Sequence, residues 1–186
     1  MIALRRILLG CALALFGYCA FVVVGTRVFQ DRESRKLEAL LQHPAAPAAA
    51  AQGTALAEGL VGRIAIPRLG VSVIVMEGST EAVLRHAAGH ITGTALPGQE
   101  GNVGISAHRD TFFRPLRNIR KDDFIDITTA LGDYHYRVVS TRIVPPSEVS
   151  VLNPGPTQIL TLVTCYPFYF VGSAPDRFIV RAERIT

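Results

Sequence analysis

Residues 157–165 read TQILTLVTC and run straight into YPFYF at 166–170. The first nine carry no charge, are rich in β-branched side chains and are bounded by Gly and Pro, which is the pattern of a buried strand. Side chains alternate between faces every second residue. Ile159, Thr161, Val163 and Cys165 therefore share one face, and Gln158, Leu160, Leu162 and Thr164 the other. Cys165 takes the last strand position, where the chain turns into the loop at 166–177, so it is expected at the rim of a sheet.

Working outward, the rest of the C-terminal two thirds repeats this texture. GRIAIP (62–67), VSVIVMEG (71–78), GNVGISAH (101–108), DFIDITT (123–129), YHYRVVSTRIV (134–144) and RFIVRAERI (177–185) read as further short strands, with Gly or Pro in most of the loops between them. STEAVLRHA (79–87) reads as a short helix with Ser79 or Thr80 as its N-cap. Seven or so strands with so little helix imply an all-β domain, either a closed antiparallel-rich barrel or a sandwich. A doubly wound α/β fold would need helices that are not there.

The N-terminal part is different. Residues 7–24, ILLGCALALFGYCAFVVV, are eighteen positions without a charge, about 27 Å of helix and enough for a bilayer core. VVVGTRVFQ after it offers no small-residue signal-peptidase site. LLGC at 8–11 resembles a lipoprotein cleavage box, but cleavage there would leave almost no apolar segment before it. A single retained transmembrane helix is the expectation. Residues 30–42 have helical composition and continue it, and HPAAPAAAAQG (43–53) reads as an Ala/Pro linker. The division is then 1–6 for an N-terminal tail, 7–25 for the anchor, 26–59 for a juxtamembrane helix and linker, and 60–186 for the globular domain. Arg5 and Arg6 precede the span while Arg27, Arg32, Arg35 and Lys36 follow it, so loop charge does not assign its orientation.

Composition removes several function classes. A net charge of +4 and a pI near 9.3 would suit an anionic partner, but the basic residues are scattered and do not read as a nucleic-acid surface. One cysteine and histidines at 86, 90, 108 and 135 match no zinc-ligand spacing, and no phosphate-binding Gly-rich loop is present. Neither a metal nor a cofactor is expected.

Cys11 and Cys19 lie in the apolar span, so Cys165 is the one cysteine in the rest of the chain and has no intramolecular disulfide partner there. In GNVGISAH, Val103, Ile105 and Ala107 form an apolar face, and Gly104, Ser106 and His108 an opposite face free of bulk. In RFIVRAERI, Phe178, Val180 and Ala182 face a core while Arg177 begins the other side. A thiol nucleophile needs a proton partner, usually histidine, and acyl transfer needs a donor where the oxyanion develops, which a guanidinium supplies. Cys165, His108 and Arg177 at three strand ends would fill those roles. The residues alone leave open the alternative of a buried thiol and a loop histidine. They also leave His86, His90 and His135 as other partners, although His135 reads as a mid-strand surface residue and His86 as a helix-end residue.

Three segments carry a family resemblance. TLVTC at 161–165 resembles the sortase signature strand that ends in the catalytic cysteine. GNVGISAHRDTFFRPL at 101–116 resembles the segment bearing the sortase histidine, and DRFIVRAE at 176–183 the strand that opens with the sortase arginine. GRIAIPRLGVSVIVMEG (62–78) is similar to the first strands of the sortase barrel and GHITGTALPG (89–98) to the loop before the histidine segment. The HRDTFF and TCYPF wording is most similar to class D sortases and the related sortases of Gram-negative bacteria. One departure is Ile74, where relatives often have proline. The resemblance implies an eight-stranded closed β-barrel on a single-pass membrane protein, with its N-terminus inside and the catalytic domain on the extracytoplasmic side. It implies a transpeptidase whose Cys165 attacks an LPxTG-like sorting signal ahead of a protein's C-terminal membrane segment, with a thioacyl intermediate passed to an amine acceptor, a peptidoglycan precursor or another protein. His108 would carry protons and Arg177 would hold substrate or stabilise the oxyanion, with Thr164 and Asp110 in supporting places. No acidic cluster matches the calcium site of some class A enzymes, and no lid extension like that of pilin-polymerising sortases is seen, which favours a housekeeping or dedicated-substrate role. The competing functions are a thiol peptidase that releases its product to water and a membrane-tethered binding module with an inert barrel. An L,D-transpeptidase would need a Ser-x-Gly-Cys context that is missing.

Overall fold

The computed structural model describes residues 2–42, 53, 55–155 and 157–185. The expected linker at 43–53 falls, apart from Gly53, outside the described residues. One long helix, α1 (Ile2–Gln42), precedes eight strands: β1 (Leu60–Ile66), β2 (Val71–Glu77), β3 (Ala88–His90), β4 (Asn102–Ser106), β5 (Phe124–Thr129), β6 (Gly132–Val144), β7 (Ile159–Tyr166) and β8 (Asp176–Ile185). They close in the order β1-β2-β3-β4-β7-β8-β6-β5, with β5 returning to β1. Of the two architectures open at the level of strand pattern, the barrel is the one formed.

The alternation expected for the strands holds. Val103, Ile105 and Ala107 of the β4 segment, Leu160 and Leu162 of β7, and Val180 and Ala182 of β8 all enter one core with Val73, Val75, Ile125 and Ile127. Two differences from the expected strands are local. β3 stands where the sequence pattern reads as loop, because three residues with a central glycine are too short to show a period. Gly89 is required there, since a Cβ would lie 2.3 Å from the Gly78 carbonyl oxygen. The helix at 79–87 shrinks to α2 (Glu81–Leu84), capped by Thr80, whose hydroxyl accepts from the Val83 amide.

β4 and β7 run parallel, from Asn102↔Ile159 to Ser106↔Val163, so a long connection must cross between them. A buried hydroxyl rivets each end of this pair. The Thr161 hydroxyl donates to Asn102 Oδ1 (2.7 Å), while Asn102 Nδ2 donates to the carbonyls of Val151 and Asn153 in the crossover. At the other end the Thr164 hydroxyl donates to the Ala107 carbonyl (2.8 Å). A further tie, Arg68 to Asp123, joins the β1–β2 turn to the segment entering β5. Arg68 also donates to the Asn118 carbonyl, and Asp123 accepts from the Arg120 amide.

The C-terminal half of α1 docks on the barrel. Leu37 packs with Ala55, Leu60 and Ile74 in a second apolar cluster, flanked by Leu40 and Met76. Gln30 bridges two backbone groups: its Nε2 donates to the His86 carbonyl (2.7 Å) and its Oε1 accepts from the Ile74 amide (2.9 Å). β3 covers β2 only from Val75 onward, which leaves the Ile74 amide to the helix. An amide exists at this position because the residue is not proline.

Thr161→Val keeps shape but leaves buried Asn102 Oδ1 without its donor. It should cost about 1–3 kcal/mol, read as a lower urea midpoint with unchanged slope. The Arg68 guanidinium beside Asp123 holds that carboxyl below its ordinary range. A depressed folded pKa contributes stability at neutral pH that is lost as pH falls through it. Asp123→Asn should therefore be less stable at neutral pH and show a shallower fall in acid, checked by denaturation across that range.

Candidate active site

Strand direction brings the expected residues together. β8 runs antiparallel to β7 with Cys165 directly opposite Arg177. Directly opposed residues share a face with Cβ atoms about 5 Å apart. β4 runs parallel to β7, and carrying its register two residues past Ser106↔Val163 sets His108 beside Cys165. His108 thus lies just beyond β4 rather than within it, a shift of two residues from the expected strand end. The Ala107 amide still donates to the Val163 carbonyl (3.3 Å), so the alignment persists as the strands part.

All three side chains are on the outer face of the barrel, since the adjacent residues Ala107, Thr164 and Phe178 are turned inward. Cys165 and Arg177 are half-buried, and the His108 side chain is 32% exposed. The Arg177 Nη1 donates to the Asp176 (3.0 Å) and Ala174 (3.3 Å) carbonyls, which fixes the guanidinium at the base of the β7–β8 loop. Thr164 faces the opposite way from Cys165 and is buried. Its hydroxyl donates to the Ala107 carbonyl, one residue before His108, and so ties β7 to the backbone that carries the histidine. Asp110 is exposed and lines, with His108, a cavity of about 550 Å³ bounded on one side by Val22, Val23 and Arg27 of α1.

His86, His90 and His135 are committed elsewhere. His90 is buried, its Nδ1 2.6 Å from Glu77 Oε2 and its Nε2 3.0 Å from both the Ala95 carbonyl and the Thr94 hydroxyl. His135 is a surface residue on β6 that pairs with Asp126 at 2.7 Å. His86 follows α2, as expected, and meets Thr26 and Phe29 of α1.

Two residues were not singled out in the sequence. Arg109 reaches across the cleft rim: Nη1 donates to the Pro167 carbonyl (2.9 Å) and Nη2 to those of Phe170 (2.7 Å) and Gly172 (3.0 Å). One guanidinium thereby ties the loop after Cys165 to the residue after His108. Glu81 of α2 places Oε2 3.7 Å from His108 Nε2, with its own side chain 71% exposed. A basic residue next to the candidate histidine was visible in HRD, but its three carbonyl partners are 58 to 63 positions away. Among the described residues no group of three or more His, Cys, Asp and Glu side chains is arranged to hold a metal.

A half-buried thiol opposite a guanidinium, with an imidazole just beyond the end of the neighbouring strand, can perform acyl transfer through sulfur. Comparison with known proteins points to the same chemistry. A sortase-domain family model matches residues 64–185. Sortase D of Bacillus subtilis (strain 168) is 26% identical over 190 residues, 96% of each chain. Sortase SrtE1 of Streptomyces coelicolor is 37% identical over 121 residues, 55% of this chain and 34% of that protein. A Clostridium perfringens sortase D5 transpeptidase structure superposes with a TM-score of 0.69 at 30% identity, covering 83% of this chain and 98% of the other. A pilus-related sortase C of Group B Streptococcus gives 0.64 at 30% identity, covering 69% and 68%. The eight-stranded barrel, the match across the barrel and the likeness to sortases of the D class together make this chain a member of the sortase family of cysteine transpeptidases.

Proposed function

We propose that Cys165, His108 and Arg177 are the catalytic residues, and that the chain is a membrane-anchored sortase acting on an LPxTG-like sorting signal. The observation that carries this is the register. Cys165 is opposed by Arg177 on one side, and the β4 alignment leads His108 to it on the other. Cys165 is also the one cysteine outside the apolar helix.

In this reading His108 takes the Cys165 thiol proton as Sγ attacks the scissile carbonyl carbon, and Arg177 donates to the oxygen as it gains charge. His108 passes a proton to the departing amine, the C–N bond breaks and a thioester to Cys165 remains. An incoming amine, from a peptidoglycan precursor or another protein, then loses its proton to His108 and attacks the thioester. An amide forms and the cysteine leaves as thiol. Arg109 is a positioning residue that holds the β7–β8 loop over the cleft. Glu81 orients the imidazole from its exposed side. Thr164 and Asp110 support the same segment, Thr164 through the Ala107 carbonyl.

Residues 7–25 are the membrane span, with 1–6 in the cytoplasm and the domain from residue 60 outside it. Helix Ile2–Gln42 contains a stretch of mean hydropathy 2.6 with no part of it buried against the protein, which supports the placement in lipid.

With a fluorogenic sorting peptide and an amine acceptor, Cys165→Ala should form no thioacyl enzyme and no transfer product; unchanged transfer would overturn the assignment. His108→Ala should lower kcat/KM by about 10²–10⁴-fold and Arg177→Ala by about 10²–10³-fold. The ratio of transferred to hydrolysed product separates a transpeptidase from a releasing peptidase at this site. Arg109→Gln should raise KM and lower kcat/KM by about tenfold or more through misplacement of the loop. Alkylation of Cys165 by iodoacetamide should stay at the parent rate in that variant, which global unfolding would not allow.

A further inference from the structure

We propose that α1 is a strut rather than a tether, seating the barrel on the bilayer with the His108 side of the cleft and the β7–β8 tip in the headgroup layer. The proposal rests on the reading of residues 7–25 as a membrane span.

The apolar run ends at Val24, and contact with the barrel begins two residues later, about 3 Å along the helix. The Thr26 hydroxyl is 3.5 Å from His86 Nδ1, and the Phe29 ring centroid is 5.7 Å from that of His86. Gln30 then bridges the backbone of His86 and Ile74, and Leu37 is buried against Leu60 and Ile74. Phe29 and Gln30 lie three and four residues after Thr26, and Leu37 lies seven after Gln30, so the anchors share one helical face, and α1 is unbroken from Ile2 to Gln42. A helix leaving a membrane and docking at once cannot let its domain drift away.

What faces the lipid follows from what surrounds the exit. The cavity that holds His108 and Asp110 is walled by Val22 and Val23, inside the apolar run, and by exposed Arg27 and Arg85. Along α1 the apolar wall of Val22 and Val23 gives way one turn later to the Arg27 guanidinium, the polarity of the interface, where Arg meets phosphate. Residues 109–112 carry this surface onward without a gap. Asp110, Thr111 and Phe112 line the cavity, and Arg109 holds the β7–β8 loop. The tip of that loop leaves Tyr169 75%, Phe170 46% and Val171 96% exposed. Arg109 and Arg117 sit over the Phe170 and Tyr169 rings at 5.9 and 5.7 Å. Exposed aromatics flanked by Arg have the composition of a membrane-interface anchor. The opposite end of the barrel is roughly 20 Å farther along the helix, counting from Thr26 to Leu40. There Leu40 flanks the cluster containing Leu60, and Gly62 touches the β5–β6 hairpin, whose turn carries exposed Leu131.

The chain has no tryptophan, so a single one reports without background. The full chain would be reconstituted in anionic vesicles whose lipids are brominated near the acyl carbonyl. Phe170→Trp should lose most of its emission there relative to unbrominated vesicles, and Leu131→Trp should keep it. Combining Gln30→Ala and Leu37→Ala with Phe170→Trp should restore emission, with peptide transfer in detergent confirming a folded barrel. An unquenched Phe170→Trp, or equal quenching at both positions, in protein that floats with the vesicles overturns the proposal. Quenching that survives loss of the Gln30 and Leu37 contacts overturns the strut. Protein that fails to float refutes the membrane span itself, a separate outcome that takes this inference with it.

Discussion

The site depends on the parallel pairing of β4 with β7. Two strands far apart in the chain end at the same rim only if they run in the same direction. β8, entering antiparallel, then starts where β7 stops. The end of one strand, the start of another and the first turn beyond a third bring Cys165, Arg177 and His108 to that rim without any loop having to reach. Parallel ladders pair slightly less stably per residue than antiparallel ones. Here the shortfall is met by buried hydroxyls at both ends, Thr161 on Asn102 and Thr164 on the Ala107 carbonyl. A one-residue slip would send Cys165 to the interior face and Thr164 to the cleft, so the hydroxyls that fix register also fix which face the thiol occupies.

The barrel divides its labour between faces. Its interior is filled by Val, Ile, Leu and Ala from alternate positions, while the outer face near the rim stays small on β4, with Gly104 and Ser106 preceding His108. The loops that roof the cleft are held by long-range polar ties rather than by core packing. Arg109 secures the loop after Cys165, and the Arg68–Asp123 pair secures the segment that returns from the His108 loop to β5.

The N-terminal helix carries a long apolar run and also belongs to the architecture of the domain. Gln30 satisfies an edge amide of β2 that β3 is too short to cover, and Leu37 and Leu40 complete a second apolar cluster. The barrel is thus finished on that side by a segment read from the sequence only as a juxtamembrane continuation.

Much of this was legible in the chain itself. Period-two alternation sorted Cys165 from Thr164, His108 from Ala107 and Arg177 from Phe178 onto the correct faces, because a strand's side-chain direction is a local property. Hydropathy marked the long apolar helix for the same reason. Motif resemblance supplied the family and, with it, the eight-stranded barrel. Local pattern alone could not choose barrel over sandwich, since both bury one face of short strands, nor could it show β3, whose three residues are shorter than any reliable period. Tertiary structure decided the partnerships. Parallel or antiparallel pairing placed Cys165 opposite Arg177 and in line with His108, sequence separation hid the carbonyls that Arg109 holds, and only docking revealed that Gln30 completes the sheet. Those are contacts between residues tens of positions apart, and their energies depend on geometry that no short window of sequence contains.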